Sequence, residues 1–303
     1  VLAENPPLFE ISWGSMGSGT GQFNEARAVA VDAARGYVYV TERWNQRMQK
    51  FTISGSHLGT TDFVGPQGVA VDGAGNRFVA WQSGVRSFPP DVTMVSRLNP
   101  DGTEAWRREI VKGPASIAAI ALDAAGNPCV AGNPVVGAPF VRKLDAATGT
   151  LLWGEELLTG TARLSGIAVD AGGSVLVSGH TTVAPLDAFV VKLTGDGAQP
   201  WVKAFGTADD DRTVGIGVDA GGNIYVAGVT LPAAGSEAFL TKLDPAGDVL
   251  WTARLGSDGA DRTEATDVAV TENGSAWLVG HVTGGALPGQ TAGGATDAFV
   301  ARY

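Results

Sequence analysis

Three histidines are present in the chain, and their positions limit the kinds of metal or acid–base site that the sequence allows. His57 lies beside a predicted turn, whereas His180 and His281 fall at the same position in two units of an internal repeat. A tetrahedral zinc site requires side chains that meet within a few ångströms, and this spacing does not bring three histidines together. No nucleophile-elbow pattern of a serine hydrolase is present. We predict no catalytic residues and keep His180 and His281 as candidate ligand-binding residues.

Carboxylates form a second group that can do chemistry. Asp209 and Asp210 lie in one connection between repeats, and Asp258 lies in the equivalent connection of the next repeat. Carboxylate oxygens are the ligands that Ca²⁺ prefers, so these three aspartates are candidate calcium ligands. Both connections also end in Asp-Arg-Thr, and a pairing of this Asp with its Arg at the start of a strand is the simpler interpretation. We predict no cofactor, with calcium as the alternative.

Aromatic and arginine side chains are concentrated in two connections near the start of the chain. The first contains Arg43 and Trp44, and the second contains Trp81, Arg86 and Phe88. Trp, Tyr and Arg are the residues that contribute most to recognition surfaces. Because the two connections belong to adjacent repeats, we expect their side chains to share one surface. The alternative for each tryptophan is that it packs between neighbouring loops.

These residues are carried by a repeat that occupies almost the whole chain. Each unit has a strand in which two large apolar residues flank a small one, then a polar turn and a second strand. The units start 40 to 52 residues apart, a period that suits one four-stranded blade of a β-propeller. The six strand cores are Val29-Ala-Val31, Val69-Ala-Val71, Ile120-Ala-Leu122, Ile167-Ala-Val169, Ile216-Gly-Val218 and Val268-Ala-Val270.

The sequence therefore predicts an all-β fold in which residues 1–303 form a single domain, a six-bladed β-propeller with four-stranded antiparallel blades. The predicted blades span 26–65, 66–113, 114–160, 161–206, 207–256 and 257–303. The last unit has only three strands, and residues 8–14 match the spacing of a fourth strand. We expect this N-terminal strand to be the outer strand of the last blade.

Several other conspicuous residues are positions of the repeat. The third strand of every unit carries Lys or Arg, as at Lys143, and we expect a structural role in which the long stem covers a blade edge. Aspartates such as Asp123 begin the polar turns. The single cysteine, Cys129, takes the place of larger apolar residues in the other units and is predicted to be a buried core residue.

Composition excludes some partners. The formal net charge is −10, which opposes binding to phosphate backbones, so we predict no nucleic-acid partner. No apolar run approaches the roughly 18 residues of a membrane span. No signal peptide is visible, but the chain begins with Val1, and we expect that a preceding segment was removed.

Different parts of the chain resemble two families of propeller repeats. Gly21-Gln-Phe23, Tyr37-Val-Tyr-Val40 and Asn45-Gln-Arg-Met-Gln-Lys-Phe51 closely resemble an NHL repeat. Asp187-Ala-Phe-Val-Val-Lys-Leu193 and Asp297-Ala-Phe-Val-Ala-Arg-Tyr303 resemble the bacterial propeller repeats called SBBP. These resemblances imply a propeller that is often secreted or displayed on the bacterial surface, with no single conserved chemistry.

We therefore expect a non-catalytic binding or scaffold protein that recognises a protein or a glycan through its loop-rich rim. The expected location is extracellular, on the cell surface or periplasmic in a bacterium. The alternative is a calcium-dependent hydrolase or lyase with a site on the rim or in the central channel. This expected function rests on the absence of a catalytic constellation in the sequence together with the family resemblance.

Overall fold

The computed structural model describes residues 13–82, 92–113, 115–157, 162–233, 235–256, 262–285, 287 and 294–303. In these ranges the chain forms 23 strands and no helix, and the strands make six antiparallel sheets. The first strands of all six sheets line one axial channel. The protein is a six-bladed β-propeller, as the repeat predicts.

Each blade is a meander that runs outward from the channel. Blade 1 contains β1 (Ala26–Asp32), β2 (Tyr37–Glu42), β3 (Arg47–Thr52) and β4 (His57–Asp62), and blade 2 contains β5 (Pro66–Val71), β6 (Arg77–Gln82), β7 (Thr93–Leu98) and β8 (Glu104–Val111). Blade 3 contains β9 (Ala115–Leu122), β10 (Pro128–Pro134), β11 (Phe140–Leu144) and β12 (Leu151–Glu156), and blade 4 contains β13 (Ala162–Val169), β14 (Val175–Thr181), β15 (Ala188–Leu193) and β16 (Trp201–Phe205). Blade 5 contains β17 (Asp210–Val218), β18 (Ile224–Leu231), β19 (Glu237–Leu243) and β20 (Val249–Leu255), and blade 6 contains β21 (Arg262–Val270), β22 (Ala276–Thr283) and β23 (Thr296–Arg302).

The first strand of every blade carries a β-bulge at the same place. In each blade one residue of the first strand is skipped in its pairing with the second strand, and that residue lines the channel. A bulge sharpens the local twist and redirects one side chain. The six bulge residues are Arg27, Gln67, Ala118, Ser165, Val214 and Thr266.

A glycine lies under an aromatic ring in the middle of blades 3 to 6. The phenylalanine of the third strand is directly opposite this glycine on the second strand, as in the pair Gly228 and Phe239. A Cβ atom at Gly228 would overlap both the ring of Phe239 and the backbone carbonyl oxygen of Arg212. The other pairs are Gly132 with Phe140, Gly179 with Phe189 and Gly280 with Phe299.

In blades 3, 4 and 5 the basic residue of the third strand forms an ion pair with the turn aspartate of the same blade. Lys143 Nζ lies 2.9 Å from Asp123 Oδ2, and Lys192 Nζ lies 3.3 Å from Asp170 Oδ2. The same carboxylate of Asp123 accepts hydrogen bonds from the backbone and side chain of Asn127. These bonds to the ionised form, together with Lys143, hold the pKa of Asp123 below its usual value despite its burial. The ring of basic residues is structural in these blades.

The buried carboxylate of Glu42 holds the segment that leads into blade 1. It accepts hydrogen bonds from Asn45 Nδ2 at 2.6 Å, Arg47 Nε at 2.8 Å and Gln49 Nε2 at 2.7 Å. The same three side chains also donate to backbone carbonyls of the segment 17–22. Three of the residues that resemble an NHL repeat therefore bind one carboxylate and one loop.

The predicted closing strand at residues 8–14 lies mostly outside the described residues, and Trp13 and Gly14 are not in a strand. Trp13 nevertheless contacts blade 1, because its indole packs against Phe51 and against the turn glycine Gly55. In the same way Trp153 of blade 3 packs against Gly197 of blade 4. Trp13 therefore packs on blade 1 as the fourth-strand tryptophan of one blade packs on the next blade. Closure of the ring by the N-terminal strand stays a prediction.

We predict that Gly228→Ala destabilises the protein by about 3 kcal/mol, because the extra methyl group overpacks the interior of blade 5. The melting temperature should fall by about 6 °C, since roughly 2 °C accompany each kcal/mol in a domain of this size or larger. Gly59→Ala is the matched control, because Gly59 lies in β4 with no atom within 4 Å of the added Cβ. Equal melting temperatures for the two variants would contradict this account.

We also predict that deletion of residues 1–14 lowers the melting temperature and promotes aggregation, since the free edge of β23 would then lack its predicted partner. Differential scanning calorimetry and light scattering report the two effects. The substitution Trp13→Ala should produce part of the loss. A truncated protein that melts like the full chain would show that the N-terminal strand does not close the ring.

Candidate functional site

Two of the predicted recognition residues, Trp44 and Trp81, line one cavity between blades 1 and 2. The cavity, which we call the rim pocket, has a volume of about 620 Å³. Its lining residues are Trp44, Asn45, Gln46, Asp62, Phe63, Val64, Trp81 and Arg107. The sequence placed Trp81 in the connection after the second strand, whereas the structure has it inside β6.

The two tryptophans differ in their burial. Trp44 has half of its surface exposed, whereas Trp81 is only 6% exposed and belongs to a hydrophobic cluster with Phe63. The indole N–H of Trp81 donates to Ser96 Oγ at 3.0 Å. Trp81 is thus a core residue whose edge reaches the pocket, and Trp44 is the indole that a ligand can cover.

Polar side chains line the rest of the rim pocket. The guanidinium of Arg107 lies 5.0 Å from the centre of the Trp81 ring, and Asn45, Gln46 and Asp62 complete the polar wall. Gln46 has a positive φ of 54°, a conformation that is uncommon for a residue with a side chain. Its carbonyl oxygen accepts the N–H of Phe63 at 2.8 Å, so the strained residue ties the two sides of the pocket together.

Arg43 lies next to this pocket. Its guanidinium is 5.8 Å from the centre of the Trp44 ring and 3.8 Å from the carboxylate of Glu25. Glu25 also pairs with Arg27 and has a positive φ of 55°. The other two predicted recognition residues, Arg86 and Phe88, lie outside the described residues.

His180 lies near the end of β14 in blade 4 and does not line the rim pocket. It is directly opposite Arg163 of the neighbouring strand, and its Nδ1 is buried without a hydrogen-bond partner in the described chain. Burial lowers the pKa of His180 to about 4, and the positive charges of Arg212 and Arg163 add to this effect. His180 is therefore neutral at physiological pH.

His281 is separated from His180 by blade 5 and has a different environment. Its Nε2 lies 3.7 Å from Glu264 Oε2, and the two residues are directly opposite each other in blade 6. Ser236 Oγ approaches the other oxygen of Glu264 at 3.5 Å. The structure does not bring the two histidines to one site.

Of the three calcium candidates, Asp210 has a side-chain carboxylate that accepts a hydrogen bond. Asp210 Oδ1 accepts the N–H of Leu186 at 3.0 Å, and Asp258 lies outside the described residues. The N–H of Asp209 donates to Thr207 Oγ1. In the described part of the chain, no three His, Cys, Asp or Glu side chains come together in a group that could hold one metal ion.

The sequence predicted that Asp211 pairs with Arg212 at the start of β17, but in the structure Asp211 binds two threonines instead. The buried carboxylate of Asp211 accepts hydrogen bonds from Thr207 and from Thr230 Oγ1. Arg212 is exposed, and its positive charge helps to lower the pKa of His180. The physical reason is that adjacent residues of a strand point to opposite faces of the sheet.

One carboxylate in the channel was not found from the sequence. Asp267 lines the channel, which has a volume of about 460 Å³, and partial desolvation raises the pKa of its carboxyl. The equivalent positions in the other five blades hold only Gly or Ala, namely Ala28, Gly68, Ala119, Gly166 and Gly215. The sequence signal for this position was an Asp where the equivalent residue of every other unit is Gly or Ala.

Cys129 is buried as predicted, and burial raises the pKa of its thiol to about 12.

The fold and these cavities define a six-bladed β-propeller with a polar rim pocket and an open axial channel. No protein-family model matches the sequence, and no curated protein matches it. The resemblance to NHL and SBBP repeats therefore remains a prediction. Among the described residues there is no helix with the length and apolar character that crossing a membrane requires.

Solved structures with similar folds are numerous. A hydrazine synthase of Kuenenia stuttgartiensis superposes with a TM-score of 0.63 at 12% identity, over 84% of this chain and 80% of that one. A gluconolactonase from Xanthomonas campestris gives a TM-score of 0.54 at 16% identity, over 88% and 85%. A luciferin-regenerating enzyme gives 0.53 at 11% identity, over 85% and 84%. At such identities the likeness concerns the fold.

We predict that His180 makes stability depend on pH between about 4 and 6.5. The unfolded histidine takes up a proton near its ordinary pKa of 6.5, whereas the folded one resists protonation down to about 4, so stability falls as the pH is lowered through this range. Urea unfolding at pH 7 and pH 4.5 should show a smaller loss for His180→Gln than for the wild type. His57→Gln controls for the removal of a histidine elsewhere, and equal losses in wild type and His180→Gln would contradict the prediction.

Proposed function

We propose that the protein is a binding module that recognises a glycan in the rim pocket. The observation that carries this proposal is the half-exposed indole of Trp44 at the edge of a cavity whose wall is formed by Asn45, Gln46, Asp62 and Arg107. An aromatic face contacts the C–H side of a sugar ring. Carboxamide, carboxylate and guanidinium groups supply the donors and acceptors that hydroxyl groups need.

A glycan fits this pocket better than a protein segment does. Protein interfaces have an apolar centre with a polar rim, whereas here polar groups lie within the cavity and Trp81 is held in the core. A hydroxyl-rich ligand can satisfy these groups without leaving them buried and unpaired. The resemblance to SBBP repeats supports a secreted or surface-displayed bacterial protein, and we include that location in the proposal.

We expect Trp44→Ala to weaken glycan binding by about tenfold or more, which corresponds to roughly 1.4 kcal/mol. The measurement is a glycan array followed by titration calorimetry with the strongest hit. Arg107→Gln should also weaken binding. Trp81→Ala is unsuitable, because truncation of a buried Trp costs roughly 3–5 kcal/mol of stability.

Trp251→Ala is the matched control for this experiment. Trp251 is also exposed, at 37%, but it lies on the outer strand of blade 5 and stacks on Tyr303. This variant should bind like the wild type. Equal binding by Trp44→Ala and wild type, or no binding to any glycan of the array, would overturn the proposal.

A second candidate function is an enzyme with its site in the axial channel, as in the calcium-dependent hydrolase or lyase predicted as the alternative. The observation in its favour is Asp267, a carboxyl with a raised pKa that faces the channel, since perturbed carboxyls are common in catalytic sites. A melting temperature that rises with calcium in the wild type but not in Asp267→Asn would support the enzyme. A calcium-independent melting temperature would count against it.

A further inference from the structure

A separate cavity of about 320 Å³ opens at the mouth of the axial channel. It is lined on blades 1 to 3 by Arg27, Arg43, Gln67, Gln82, Ser116 and Ala118, and we call it the channel-mouth pocket. It shares Arg27, Gln67 and Ala118 with the channel and none of its lining residues with the rim pocket.

The β-bulges explain why polar side chains converge here. Arg27 and Gln67 are the bulge residues of β1 and β5, and the bulge directs each of them toward the axis. The bulge residues of the other four blades are short, namely Ala118, Ser165, Val214 and Thr266. Among the six bulge residues, those of blades 1 and 2 therefore carry the long polar side chains.

The hydrogen bonds of Gln67 determine how Gln82 is oriented. Gln67 Oε1 accepts the N–H of Ile117 at 2.8 Å, and Gln67 Nε2 donates to Gln82 Oε1 at 3.1 Å. The acceptor of Gln82 is therefore used by Gln67. Gln82 lines the pocket, and the remaining hydrogen-bonding group of its side chain is the NH₂ donor.

The charges of the pocket leave one positive charge in excess. Arg27 and Arg43 both approach Oε1 of the same carboxylate, that of Glu25, which neutralises one of the two guanidinium groups. Arg43 Nε and Glu25 Oε2 are buried and have no hydrogen-bond partner in the described chain. Both arginines line the pocket, whereas Glu25, which pairs with both of them, is not among its lining residues.

We propose that the channel-mouth pocket binds a small carboxylate ligand, which Arg27 and Arg43 hold and Gln82 orients. A carboxylate matches the planar donor pairs of guanidinium and amide groups. Its single negative charge equals the excess charge of the pocket, whereas a phosphate dianion would exceed it. This site is distinct from the rim pocket and does not depend on the proposed glycan binding.

The test compares glucuronate with glucuronamide, a neutral ligand of nearly the same shape, by titration calorimetry at low ionic strength. We expect the wild type to bind glucuronate about tenfold or more tightly than glucuronamide, because only the former carries the charge that the guanidinium groups recognise. This preference should disappear in Arg27→Gln and be partly retained in Arg27→Lys. The side chain of Arg27 is 41% exposed, so both variants should fold, and their melting temperatures verify this.

Two control variants separate this pocket from the rim pocket. Arg107→Gln changes the rim pocket and should keep the preference for glucuronate. His57→Gln, at the outer strand of blade 1, changes neither pocket and should also keep it. A wild type without the preference, or a preference that survives in Arg27→Gln, would overturn the proposal. Loss of the preference in Arg107→Gln but not in Arg27→Gln would also overturn it, because it would place the carboxylate in the rim pocket.

Discussion

Crowding of six first strands around one axis is the constraint on which the rest of the structure depends. Blades taper toward the centre, and a Cβ atom at Gly217 would come within 2.5 Å of Val270 in the next blade. Small residues relieve this crowding along the strand, and in each blade the bulge residue and the two residues after it line the channel. The chemistry of the axis is therefore limited to a few positions, of which Arg27, Gln67 and Asp267 are polar and larger than serine or threonine.

The parts of the fold that recur locally were predictable from the sequence. The period of the repeat predicted the blades, since turn residues and strand alternation are local properties. The burial of Cys129 followed from comparison with the equivalent positions of other units. The placement of Trp44 and Trp81 in adjacent blades also followed from the repeat.

Features that depend on the relation between blades were not predictable. The depth of Trp81 is set by its packing against Phe63 of blade 1, and nothing in the local pattern distinguishes it from the exposed Trp44. The partner of Asp211 is Thr230 on the neighbouring strand rather than the adjacent Arg212. The channel-mouth pocket could not be predicted because it depends on the bulges at Arg27 and Gln67. A bulge is visible only in the pairing of two strands, not in the sequence of one.

The tryptophan joints between blades have a direction. Trp106 of blade 2 donates its indole N–H to the carbonyl of Ala146 in blade 3, and Trp153 of blade 3 donates to Gly195 in blade 4. Blades 2, 3 and 4 thus each present a tryptophan to a turn of the next blade, as in a head-to-tail association. Because these successive blades make the same tryptophan contact, duplication or deletion of a whole unit leaves the contacts of its neighbours unchanged. The number of units is then decided by how well the wedge angles add up to a full circle.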